Sequence, residues 1–133
     1  MRRALRAEPV SKKVIETRDR IRAGELSAAA AAEEALRQVE AVNPQIEAAT
    51  DILREEALTQ AAEIDRKLEA GEDAGPLAGV PFTVKSNICT LEGRTSAASR
   101  IIEDHVSPYE ATAVRRLRAV SYTHLRAHET RHD

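Results

Sequence analysis

The sequence predicts an α/β fold in which three helices lead into a short strand, and a further helix follows. Apolar residues recur at helical spacing as far as Gly71, and glycines divide that stretch into segments of helix length. Beyond it, Val80, Phe82 and Val84 alternate with Pro81, Thr83 and Lys85, which is the period of two that a strand requires.

The first helix is expected over Ser11 to Ala23, with Val10, Val14 and Ile21 on one face and Gly24 stopping it. Ser27 caps a second helix through Ala32, Leu36 and Val39 to about Val42, because Asn43 precedes Pro44 and that position avoids helical backbone. The alanine run from Ala28 to Ala32 favours helix and lets a neighbouring helix come close. A third helix follows Asp51, where Ala57, Ala61, Ile64 and Leu68 form an apolar stripe and Gly71 closes it. Arg54-Glu55-Glu56 and Asp65-Arg66-Lys67 read as its solvated face. Gly75, Pro76 and Gly79 punctuate the approach to the strand, and Pro81 suits its first residue or an edge. Thr95 to Glu103 reads as a short helix or irregular turn. Ala111 to Ala119 forms the last helix, with Val114 and Leu117 inward, and Glu110 and Arg115, Arg116 and Arg118 placed to suit its dipole.

The chain has 133 residues and a formal net charge of −2, with acids and bases interspersed. That balance gives no nucleic-acid footprint, and only Phe82, Tyr109 and Tyr122 could stack on bases. No run approaches the roughly 18 apolar residues of a membrane span, and Met1-Arg2-Arg3 is not followed by a signal-like apolar stretch, so a cytoplasmic protein is expected. The single cysteine, Cys89, excludes an internal disulfide and reads as a small buried hydrophobe. Much of the apolar content is alanine, so the chain reads as part of a larger fold.

Lys85 ends the apolar strand. A lysine buried there as an unpaired cation costs several kcal/mol, so it finds a partner, reaches solvent or loses its proton and becomes a base. The segment Gly75-Pro76-Leu77-Ala78-Gly79-Val80-Pro81-Phe82-Thr83-Val84-Lys85, followed by Asn87-Ile88-Cys89-Thr90 and Gly93-Arg94-Thr95, resembles the start of the amidase signature family. The likeness continues through Ala97 to Ile102 and Pro108 to Thr112, and covers roughly residues 10 to 119.

The resemblance implies a truncated amidase-signature mixed-sheet fold, with residues 1–119 as its N-terminal part. It also implies that Lys85 is the catalytic lysine of a Ser, cis-Ser, Lys triad, acting through the bridging serine to activate the nucleophile. An amine with an ordinary pKa of about 10.4 needs burial to serve near neutral pH. The two serines are expected downstream, one in a Gly- and Ser-rich loop, and Ser96, Ser99 and Ser107 lack that context. This family usually has aspartate directly after the lysine, whereas Ser86 stands here, removing a carboxylate beside the amine.

Within the family, the likeness points to the glutamine-hydrolysing component that supplies ammonia for ATP-dependent conversion of Glu-tRNA(Gln) to Gln-tRNA(Gln). Other amidotransferase subunits of the B and C type are then the expected partners, with glutamine as substrate, tRNA bound through the complex, and no membrane contact. ATP and Mg are used by the whole complex, and this chain holds no cofactor or metal of its own. Two alternatives stand beside this: a general amide hydrolase of the same family, and a non-catalytic helical interaction module in which Lys85 is a surface charge. By itself the chain is expected to be inactive, since a base without its nucleophile has no acyl transfer to perform.

From about Val120 the character changes. Residues 120–133 carry three of the four histidines, show no clear apolar face and resemble translated sequencing-adapter sequence, so a non-native tail is expected there. His124, His128 and His132 would share a stripe on a helix, but no carboxylate or cysteine cluster accompanies them as further ligands; His105 reads as a polar loop residue. A central strand with unpaired edges favours aggregation over independent folding. Residues 1–119 alone are therefore predicted to show helical circular dichroism without a sharp thermal transition; a cooperative melt by a soluble monomer would count against the fragment reading.

Overall fold

The computed structural model describes residues 10–119 and 123–126. In chain order these form α1 (Val10–Arg22), α2 (Ala28–Ile46), α3 (Arg54–Glu69), β1 (Pro81–Val84), a single 3₁₀ turn (Arg100–Ile102), α4 (Thr112–Ala119) and β2 (Thr123–Arg126). Helices followed by a strand and a helix is the predicted order. β2 lies in the segment expected to be a non-native tail and pairs parallel with β1, with Phe82 opposite His124 and Val84 opposite Arg126. His124 is thus on a strand and not a helix, while His128 and His132 lie outside the described residues.

α2 and α3 pack as an antiparallel hairpin, because the start of one meets the end of the other. Ala28 and Ala32 cluster with Ala61 and Ile64, and Leu36 packs on Ala57 nearer the connecting loop. Among the described residues most of the buried apolar side chains are alanines, and Leu36 is the largest that is fully buried. Small side chains bring helix axes close and substitute proximity for volume. An Arg54 to Glu40 pair, at 3.0 and 2.7 Å, joins the helices beside their connecting loop. Both groups are too exposed for it to contribute much.

The start of α2 is capped twice. The Ser27 hydroxyl accepts from Ala30 N at 3.0 Å, as expected, and the Asp65 carboxylate of α3 accepts from Ala28 N at 2.6 Å and Ala29 N at 3.0 Å. Asp65 therefore departs from the solvated face predicted for it: it is half-buried and answers the unpaired donors of a neighbouring helix.

α2 also runs past its expected end at Val42 to Ile46, carrying Pro44 inside it. In the last turn a proline forfeits a single donor, and the preference against helix at Asn43 is overcome by local bonds. Asn43 Oδ1 accepts from Ala49 N at 2.7 Å, Asn43 Nδ2 donates to Ala49 O at 3.0 Å, and the Asn43 carbonyl accepts from Glu47 N. α3 follows Asp51 as expected, starting at Arg54 without a side-chain cap, and Asp51 holds Arg94 at 2.9 Å.

β1 is reached through Gly79, where the backbone passes against α2. A Cβ built on Gly79 would lie 2.5 Å from the Ala28 Cβ and 3.0 Å from Ile21 Cδ1, and its φ of +71° is left-handed. Only glycine meets both conditions without displacing backbone.

Removing the interhelical cap by Asp65→Ala is predicted to cost about 0.5–2 kcal/mol. Faster amide hydrogen exchange at Ala28 and Ala29 is the expected signature; unchanged protection there would mean that Ser27 suffices alone.

Candidate functional site

Lys85 follows the last residue of β1 directly, and its carbonyl accepts from Ile88 N at 3.0 Å, so the chain turns as soon as the strand ends. The alternation predicted for the strand is present in part: Val80 and Val84 are buried and Thr83 and Lys85 are exposed, while Pro81 and Phe82 are both half-buried. The burial expected of Lys85 is not found. The lysine is exposed where the chain turns out of β1. Lys85 still has an interaction partner in the structure.

Ser86 is the reverse case. It lies in the turn that follows the strand and is 1% exposed, and its carbonyl accepts from Ala97 N at 3.3 Å. The hydroxyl has no hydrogen-bond partner among the described residues, and neither does that of Thr95, 6% exposed. Thr95 N donates to His105 O at 2.7 Å, so His105 serves the loop through its backbone. Ala97 and Ala98, with φ of 48° and 56°, follow in the left-handed region and fold this loop back onto the end of β1.

Two of the serines named from the sequence serve local turns. Ser99 accepts from Ile101 N and begins the 3₁₀ turn, while Ser107, itself buried, donates to Tyr109 O at 2.7 Å. Cys89 is half-buried, and not the fully buried hydrophobe expected. Hydrogen bonds with the side chains of Ser107 and then Tyr109 hold its thiol below the usual range, outweighing desolvation. Ser107 has one hydroxyl proton, divided between the Tyr109 carbonyl and this sulfur. The Tyr109 phenol is raised in turn by Cys89.

Arg118 in the last turn of α4 donates to Glu110 at 2.8 Å and also pairs with Glu92, joining the helix to the loop. Its place in the sequence suggested an interaction with the helix dipole alone. Glu110 is 8% exposed at its side chain, so the pair fixes α4. A groove of about 600 Å³ lies between α1, α2 and the start of β1, bordered by Lys13, Arg20, Glu34, Gln38, Val80 and Pro81. It does not include Lys85. Among the described residues no three His, Cys, Asp or Glu side chains converge as metal ligands, and no helix is long and apolar enough to cross a membrane.

Tyr109→Phe is predicted to raise the Cys89 pKa and to slow its alkylation near neutral pH, because a donor to the thiolate is lost while the ring remains. Alkylation rates across a pH series would check this; an unchanged midpoint would remove Tyr109 as a cause.

Known proteins share this arrangement. The Amidase family matches residues 30–125. The chain is 43% identical over 103 residues to the A-type subunit of glutamyl-tRNA(Gln) amidotransferase from Carboxydothermus hydrogenoformans, covering 77% of this chain and 21% of that protein. It is 46% identical over 98 residues to the protein of the same name from Symbiobacterium thermophilum, covering 73% and 20%. The chain thus spans about a fifth of the length of these relatives. Its backbone superposes on native peptide amidase from Stenotrophomonas maltophilia with a TM-score of 0.79 at 32% identity, covering 86% of this chain and 24% of that one. The helical hairpin, the strand ending in Lys85 and the loop folded back upon it belong to a protein of the amidase signature family.

Proposed function

We propose that this chain is the N-terminal part of a glutamine-hydrolysing amidase of the tRNA-amidating type, and that Lys85 is its catalytic base. The observation that carries the reading is the placement of Lys85 at the exit of β1, within the segment from Gly75 to Lys85, in a chain 43% and 46% identical to two A-type subunits of glutamyl-tRNA(Gln) amidotransferases. In this mechanism a neutral Lys85 amine takes the proton of the nucleophilic serine through a bridging serine, that nucleophile attacks the amide carbon of glutamine, and the tetrahedral adduct takes the proton back on its nitrogen and expels ammonia, leaving an acyl-enzyme that water then hydrolyses. Both serines lie outside this chain, as do the donors that would steady the oxyanion.

The exposure of Lys85 fits a segment whose second sheet face is covered in the complete enzyme. Ser86 in place of the aspartate usual in this family leaves no carboxylate directly after Lys85. Partner subunits of the B and C type, with ATP and Mg, would use the ammonia to amidate Glu-tRNA(Gln), and no residue of this chain is assigned to the nucleotide or the metal. A general amide hydrolase is the second reading, favoured by the likeness to peptide amidase.

The test uses the complete enzyme with its partner subunits. Lys85→Ala is expected to lower ammonia release from glutamine by about 10³-fold, the range for loss of a general base, while amidation of Glu-tRNA(Gln) with added ammonium persists. Retained glutamine hydrolysis would overturn the base role. Cleavage of other amides with glutamine untouched would favour the hydrolase. The 133-residue chain by itself is expected to release no ammonia.

A further inference from the structure

The residue beside the base is built for a purpose that the described residues do not complete. Ser86 is 1% exposed, one of few buried polar side chains among the described residues, and its hydroxyl has no partner among them. A buried hydroxyl left unpaired costs about 1–3 kcal/mol, whereas alanine at the same place would cost no such penalty. The backbone around it is not slack. Its carbonyl is held by Ala97 N, the carbonyl of the preceding Lys85 is held by Ile88 N, and two successive left-handed alanines fold the loop against it. The hydroxyl is therefore fixed in place while its bonding capacity is unused.

We propose that Ser86 is a positioning residue for Lys85: its buried hydroxyl bonds a polar group of the enzyme domain beyond this segment, and so pins the turn from which the Lys85 side chain departs. Lys85 and Ser86 point to opposite faces of the strand exit, one exposed and one buried. An anchor on the buried side sets the direction of the amine on the other through the backbone of a single peptide unit. Small errors in that direction matter, since proton transfer requires hydrogen-bond contact with the group it serves. The inference rests on the proposed catalytic role of Lys85 and adds the residue that orients it. Thr95, whose hydroxyl is likewise buried and without a partner among the described residues, lies on the loop that closes over Ser86.

The experiment compares Ser86→Ala, Ser86→Cys and Lys85→Ala in the complete enzyme, measuring kcat and KM for its amide substrate across a pH series, with folding followed by thermal melts. Ser86→Ala is expected to lower kcat about 10- to 100-fold with KM within about twofold of wild type, as loss of one buried hydrogen bond allows, and to move the acid limb of the profile. Ser86→Cys, similar in size and a weaker donor, is expected to fall between the two. Wild-type kcat and pH profile in Ser86→Ala would overturn the inference; if that variant does not fold, the same result in Ser86→Cys would do so. Loss in Lys85→Ala with none in the Ser86 variants sinks this inference alone. Full activity in Lys85→Ala sinks the catalytic reading itself.

Discussion

The rest of the structure depends on how closely the start of α2 approaches the backbone entering β1. Gly79 passes so near Ala28 that a single added carbon would overlap it, and Ile21 of α1 closes the same gap. At this one point the first two helices and the strand are brought together. Asp65 fastens α3 there as well, by accepting from the first two amides of α2. The position of Lys85 follows from that junction, because only the short rigid run of β1 separates it from Gly79. The helices that carry no proposed chemistry thus determine where the proposed base emerges.

The sheet has two unlike sides. Val80 and Val84 are buried, while Thr83 and Lys85 are exposed. The strand and its exit turn set where the amine emerges, on the exposed side.

Much of this was legible in the sequence, and the misses have physical causes. The stripe Ala57, Ala61, Ile64 marked the buried face of α3, Ser27 capped α2 as expected, and Gly24 and Gly71 ended their helices in left-handed conformations. The end of α2 was missed because a proline rule weighs one residue against its predecessor, whereas Asn43 closes a side-chain clamp on Ala49 that no local rule contains. Asp65 and Arg118 looked like solvated and dipolar groups, yet each bonds a group distant in sequence. Burial of Ser86 was not marked in the sequence, because the strand's period of two ends at Val84 and Ser86 sits in the turn that follows. Nor was exposure of Lys85, because it depends on what covers the other side.

An interior lined with alanine changes what the hairpin tolerates. In a core of leucines and phenylalanines the usual injury is a deletion that opens a void, and neighbours relax partly to fill it. Between α2 and α3 the side chains at Ala28, Ala32, Ala57 and Ala61 are already near the smallest available, so there is little to delete. The injury open to them is enlargement. One valine at Ala28 would wedge the helices apart and press on the entry to β1, so drift at these positions is confined to residues such as glycine and serine. Sequence variation in this segment is thus governed by size before hydrophobicity.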